Sequence, residues 1–155
     1  MDKEKLRKMY KSLGYCEEEI QKYIKLEEES GQAYFPAIRF IRPLNNTVKE
    51  YRSNQWADLQ RERIAKGIMQ EETSDLFIKE LYNKGVDLNE LSQFIADIIA
   101  TAYNDVLYRI SDSEGDDYDL PYGGMGLPDW TLKERDEDGE ETGRVLPELH
   151  NLIEW

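Results

Sequence analysis

Apolar side chains recur along this chain at helical spacing for most of its length and at alternate positions near its end. Leu6, Met9, Tyr10 and Leu13 predict a helix over 3–13 that stops at Gly14. Ile20, Tyr23, Ile24 and Leu26 predict a second, ended by Gly31. Its first turn holds Glu17, Glu18 and Glu19, where the helix dipole favours acids. The two make a helical hairpin over 1–31. Residues 34–44, YFPAIRFIRPL, are densely apolar around Pro36 and Pro43, and each proline suits a first helical turn. A third helix is predicted from about Pro43 to Lys66, with Leu44, Val48, Tyr51, Trp56 and Leu59 inward and Gly67 after it. A shorter one over Ser74 to Asn83 buries Leu76, Phe77 and Leu81 and ends at Gly85.

The strongest periodicity follows. Asp87 and Glu90 are spaced as a capping pair, and the helix they open runs to about Ile110, roughly 34 Å at 1.5 Å per residue. Leu88, Leu91, Phe94, Ile95, Ile98, Ile99, Ala102, Val106 and Ile110 cover one broad face. Ala96, Ala100, Tyr103 and Leu107 widen the apolar arc past half the circumference, the pattern of a helix covered from two sides.

Beyond Ile110 the texture changes. SDSEGDDYDLPYGG is acidic, glycine-rich and aperiodic, a loop. The run from Trp130 to Arg135 then alternates apolar and polar, Asp136-Glu137-Asp138-Gly139 supplies a turn, and a second run reaches Val145: a β-hairpin. Pro147 opens a last helix with Leu149, Leu152, Ile153 and Trp155 on its apolar side. The expected fold is mainly α, a helical bundle around a central long helix, with a small C-terminal β-hairpin and a terminal helix. Residues 1–31 form the N-terminal helical hairpin and 32–155 the main domain.

Composition narrows the class. At 155 residues the chain suits one domain that buries roughly 70 % of its unfolded surface, so no metal or disulfide is needed to hold a core. Cys16 is the lone cysteine, which points to a reducing compartment. The opening MDKEKLRKMY has no apolar signal region, and the apolar stretch Ile98–Tyr103 is too short to cross a bilayer. A cytoplasmic protein without membrane contact is expected. Charge is unevenly laid out: 14 basic and 11 acidic residues over 1–66, but 6 and 22 over 67–155. Twelve acids crowd residues 111–141. A net charge of −13 argues against direct nucleic-acid binding, which needs clustered Lys and Arg.

Candidate chemistry is sparse. Asp112, Glu114 and Asp116 alternate like the first ligands of a calcium loop, but Asp117 and Gly123 stand where the glycine and the bidentate acid belong. Asp136, Asp138 and Glu140 fail likewise, with Glu141 and Pro147 at those places. One histidine, His150, and one cysteine make no zinc set. No Gly-x-Ser-x-Gly elbow presents a nucleophile, and Gly123-Gly124-Met125-Gly126 lacks the Lys-Ser or Lys-Thr of a phosphate loop. Asp105 and Arg109, four apart on the long helix, read as an intrahelical ion pair. No catalytic residue, metal or cofactor is expected.

The sharper reading makes the acids a binding surface. Asp112, Glu114, Asp116, Asp117, Asp119, Asp136, Glu137 and Asp138 would steer a basic protein partner, with Tyr122 and Trp130 as apolar anchors. The leading function is a noncatalytic protein-binding role, inhibitory in the manner of an immunity or antitoxin protein. The alternatives are a small-ligand or metal-dependent enzyme with a site between helices and hairpin, and a structural or regulatory homodimer joined through Trp130 and Trp155. From Ile41-Arg42-Pro43-Leu44 through GVDLNELSQFIADIIATAYNDVLYRI to LPDWTLKERDEDGEETGR and LPELHNLIEW, the chain resembles a group of small bacterial proteins of unknown function. That resemblance implies a bacterial cytoplasmic setting and transfers no site residue.

Overall fold

A computed structural model describes residues 3–68, 73–111 and 131–153. The architecture is mainly helical. In order come α1 (Lys3–Ser12), α2 (Glu17–Ser30), α3 (Tyr34–Arg52), α4 (Gln55–Lys66), α5 (Thr73–Asn83) and α6 (Leu88–Ser111). An antiparallel hairpin of β1 (Lys133–Arg135) and β2 (Glu141–Val145) follows, then a 3-10 turn at Leu149–Leu152. No helix among the described residues is long and apolar enough to cross a membrane.

The helix boundaries follow local chemistry. At Gly31 the backbone turns left-handed, φ 71°, and its N–H donates to the Glu27 carbonyl, so α2 closes on a residue without a Cβ penalty. Asp87 accepts a hydrogen bond from the Asn89 N–H at 2.8 Å and so caps α6. The segment expected to be one helix from Pro43 to Lys66 is two. α3 starts at Tyr34, with Pro36 in its first turn and Pro43 within it. It stops at Arg52, and Asn54, left-handed at φ 63°, separates it from α4. Asparagine tolerates that conformation better than other side-chain-bearing residues. The expected terminal helix is only the four-residue 3-10 turn after Pro147.

The chain forms two compact units. Among the described residues, the first joins 3–43 to 104–111 and 131–153; the second comprises 44–68 and 73–103. α1 and α2 lie in the first unit together with the hairpin and the 3-10 turn. In the first unit, α1 and α2 pack through Leu6, Tyr10, Ile20 and Ile24 against Phe35 and Ile38 of α3. Tyr10, fully buried, is the hub. Its ring stacks on Tyr23 at 5.5 Å and meets Phe35 edge-on at 5.1 Å, arrangements that the ring quadrupole favours.

In the second unit the buried apolar positions are Val48, Ala57, Leu88, Ala96 and Ala100. Ser92, Asn45, Gln60 and Asp75 are buried with them. Hydrogen bonds from Ser92 Oγ to the Tyr51 carbonyl (2.7 Å) and from Gln93 Nε2 to the Arg52 carbonyl (2.7 Å) fix α6 to the end of α3. Leu59, Leu76 and Phe77, expected inward, are exposed. So are Phe94, Ile98, Ala102, Val106 and Ile110 of α6, which buries a narrower face of Leu88, Ser92, Ala96, Ala100 and Leu107. The long helix exists as expected, but its apolar arc is wider than the protein around it covers. Asp105 and Arg109 lie on its exposed side.

Candidate functional site: a groove beside the anchored hairpin

Strand alternation puts Glu134 on the inner side of β1, flanked by exposed Lys133 and Arg135. Arg144 reaches it across the hairpin. Its Nε donates to Glu134 Oε2 at 3.0 Å and its Nη2 to Oε1 at 3.2 Å, a bidentate fork. Thr142 Oγ1 adds a third bond to Oε2 at 2.8 Å. The opposite edge of the guanidinium donates from Nη1 to Glu27 Oε2 of α2 at 2.9 Å. Glu27 Oε1 in turn accepts from the Tyr10 hydroxyl (3.1 Å) and the Phe35 N–H (2.8 Å).

Every oxygen of these two buried carboxylates thus has a donor. That completeness is what makes burying them tolerable, since an unpaired ion in such a place is strongly unfavourable. Burial, followed by the field and hydrogen bond of Glu27, pushes the Tyr10 phenol well above its ordinary value, so its proton stays in place to donate. The Ala33 N–H bonds the Val145 carbonyl at 2.8 Å, a backbone tie parallel to the side-chain one. An isolated two-stranded hairpin is barely stable in water; this one is bolted to the helices.

The bolt fixes the turn. Asp136 Oδ1 accepts from the N–H groups of Asp138 (3.0 Å) and Glu140 (2.9 Å), and Gly139 takes φ 85° where a side chain would be strained. The register slips between Lys133↔Val145 and Arg135↔Glu141, and Gly143, φ 80°, supplies the left-handed residue of that irregularity. Beside the hairpin lies a groove of about 810 Å³. Met9, Phe35, Pro36 and Phe40 give it apolar walls, and Phe40 is 55 % exposed. Asp136, Glu137 and Asp138 form one rim, with Lys5, Arg39 and Arg135 also lining it. Lys5 stands 3.5 Å from Glu137, both exposed.

Of the residues expected to meet a partner, Asp136, Glu137 and Asp138 come together on this rim, and Asp136 also builds the turn. Asp112, Glu114, Asp116, Asp117, Asp119, Tyr122 and Trp130 lie outside the described residues, as does Trp155. Among the described residues no three His, Cys, Asp or Glu side chains converge as a metal would need. His150 Nδ1 lies 3.3 Å from Ser111 Oγ and its Nε2 3.7 Å from Glu148, while its ring packs 4.9 Å from Tyr108. The Ser111 hydroxyl also lies within hydrogen-bond reach of the Leu107 carbonyl, to which it donates at 2.7 Å.

Glu27, Glu134, Arg144 and Phe40 were not singled out from sequence. A signal existed for two of them. Glu27 sits three residues after Ile24 and seven after Ile20, on the apolar stripe of α2. Glu134 shares strand parity with Leu132. Comparison with known proteins adds no constraint: no family model, curated protein or solved structure matches this chain.

Proposed function

We propose that the protein is a noncatalytic binder of another protein, an inhibitor of the immunity or antitoxin kind, working in the cytoplasm. Its partner contributes a segment that sets an apolar side chain against Phe40 and a Lys or Arg against Glu137 and Asp138. The observation that carries this reading is the exposed Phe40 in a groove rimmed by the acids of a hairpin anchored through Glu27, Arg144 and Glu134. A fixed rim needs little ordering on binding, which preserves affinity. An aromatic anchor supplies the desolvated contact that carboxylates alone cannot. The remaining acids of 111–141 add long-range attraction for a basic surface. Glu134, Thr142 and Arg144, which also line the groove, are bonded to one another, which favours binding over catalysis.

The test begins with affinity capture from the native host by the wild-type chain, then repeats it with Phe40→Ala and with Glu137→Gln/Asp138→Asn. The expected result is one basic partner. Phe40→Ala should cut its affinity at least tenfold through faster dissociation, and the double neutralisation should slow association and flatten its salt dependence. Both variants should melt like the wild type, since all three side chains are exposed. Equal binding by all three proteins would refute the reading.

A further inference from the structure

Among the described residues, four cationic and four acidic side chains line the hairpin groove. Most are already committed. Arg144 holds Glu134 at 3.0 Å, and Lys5 stands 3.5 Å from Glu137. Asp136 accepts from two N–H groups of its own turn. Arg135 has the strand parity opposite to Glu134, and its charge acts on Glu141 across the hairpin. Arg39 and Asp138 remain, and neither side chain makes an ion pair or hydrogen bond among the described residues.

Helix spacing puts Arg39 where a ligand would meet it. Phe35, Pro36, Arg39 and Phe40 stand at i, i+1, i+4 and i+5 of α3, which is one face, and all four line the groove. Arg39 and Phe40 are both exposed. Elsewhere the chain does not leave its groove-side or inter-helix arginines open: Arg7, Arg52, Arg61, Arg63 and Arg144 each hold a carboxylate within 3.1 Å. Arg42 also lacks an ion pair, but it does not line the groove.

We propose that Arg39 is the groove's carboxylate-binding residue. The partner's segment carries an Asp or Glu side chain that pairs with Arg39, beside the apolar side chain that covers Phe40, and its Lys or Arg reaches Asp138 beyond. This rests on the protein-binding reading of the groove and adds the acid to it. A guanidinium meets a carboxylate through two parallel N–H bonds, so it contributes geometry as well as charge. Covering Phe40 removes water from beside the pair, where screening is weaker than in open solvent. A purely basic segment meets Arg39 as a like charge and is disfavoured. The acids of the chain therefore attract a basic protein from a distance, and Arg39 selects which of its segments fits.

Random heptapeptides displayed on phage, fused at their C-termini so that carboxylates come from side chains alone, test this by selection on the full chain. Parallel selections use Arg39→Glu, Phe40→Ala and Glu137→Gln/Asp138→Asn. Wild type should enrich peptides with an Asp or Glu on one side of an apolar residue and a Lys or Arg on the other. Arg39→Glu should exchange the acid for a base and keep the apolar residue. The best wild-type peptide, synthesised with blocked ends, should bind Arg39→Gln about tenfold more weakly by fluorescence anisotropy. The same peptide with its acid changed to the amide should bind wild type equally weakly, with no further loss on Arg39→Gln. Unchanged melting temperatures for both Arg39 variants would confine these effects to the groove. Peptides enriched without an acid, or an acid retained on Arg39→Glu, would overturn the carboxylate site and leave the protein-binding reading standing. No enrichment, or enrichment indifferent to Phe40→Ala and to the double neutralisation, would remove both.

Discussion

The two units solve the burial problem in opposite ways. The first unit places large aromatic side chains inside, with Tyr10, Phe35 and Tyr23 interlocked and a partly buried guanidinium tying hairpin to helices. Residues 44–103 place alanines, a valine, a leucine and four polar side chains inside, and leave Phe77, Phe94, Ile98 and Leu76 exposed. An aromatic side chain that is fully desolvated contributes several times what a buried alanine does. The first unit therefore draws more from its buried side chains, while the second leaves Leu59, Leu76, Phe77, Phe94 and Ile98 exposed. Large apolar side chains left exposed in such number set the second unit apart from the hairpin groove, whose rim is built on a filled aromatic core.

The largest test of that contrast compares two phenylalanines. Phe35→Ala should destabilise the protein by about 3–5 kcal/mol, the transfer loss plus an uncollapsed cavity among Tyr10, Ile20 and Ile38. Phe94→Ala, at 61 % exposure, should change stability by less than about 0.5 kcal/mol in dilute solution. Urea denaturation at sub-micromolar protein measures both. Similar losses would mean that the second unit relies on Phe94 as the first relies on Phe35, and the contrast would be gone.

A smaller effect isolates the polar bolt. Tyr10→Phe keeps the ring packing but leaves Glu27 Oε1 with the Phe35 N–H as its remaining donor, a loss of about 1–3 kcal/mol. The pH dependence separates this from a packing defect. Burial first, and Glu27 second, raise the folded phenol above its ordinary value of 10.0. Stabilisation of the neutral phenol is thus fully present below that value and is lost as pH rises beyond it toward the folded one. Wild type should lose stability progressively above pH 10, and Tyr10→Phe should lack that component. Parallel alkaline limbs in the two proteins would place the proton of Tyr10 outside the network.

Much of this was legible in the residues, and the reasons for the rest are specific. Gly14, Gly31, Gly67 and Gly85 each take a positive φ where a helix was expected to end, because a left-handed stop is a local requirement that local sequence can meet. The hairpin was legible too, since Asp136 and Gly139 carry its turn chemistry themselves. Which face of α6 is covered was not. An arc wider than half a helix satisfies several orientations, and tertiary packing chose the one lined by Ser92, Ala96 and Ala100. The Asn54 break was hidden for a similar reason: one left-handed asparagine interrupts a periodicity that otherwise reads straight through. Among the acids, sequence marks charge but not whether a carboxylate faces water. Glu134 lies in the same acidic run as Glu137, yet it is buried on Arg144 while Glu137 is exposed.

The smallest effect lies inside that same hairpin and asks whether its stability resides in the buried fork or in charge at large. Lys133 Nζ donates to Glu141 Oε2 at 2.9 Å across the strands, as near as any bond of the Arg144 fork, but both side chains are about half exposed. The hydrogen bond from Lys133, then its charge, holds the Glu141 carboxyl below its ordinary value of 4.5. A depressed carboxyl contributes stability above its unfolded pKa and loses it as pH falls through the folded one, so the contribution should vanish only below about pH 4.5. Water and salt screen an exposed pair of this kind. Lys133→Met should therefore leave the midpoint at pH 7 unchanged within error and flatten the acid limb slightly, and 0.5 M salt should erase even that difference. Arg144→Met should lower the midpoint sharply at every pH and salt concentration, because it strands Glu27 and Glu134 away from water. Equal midpoints for the two variants would assign the anchoring of the hairpin to surface charge, and the groove rim would lose its claim to rigidity.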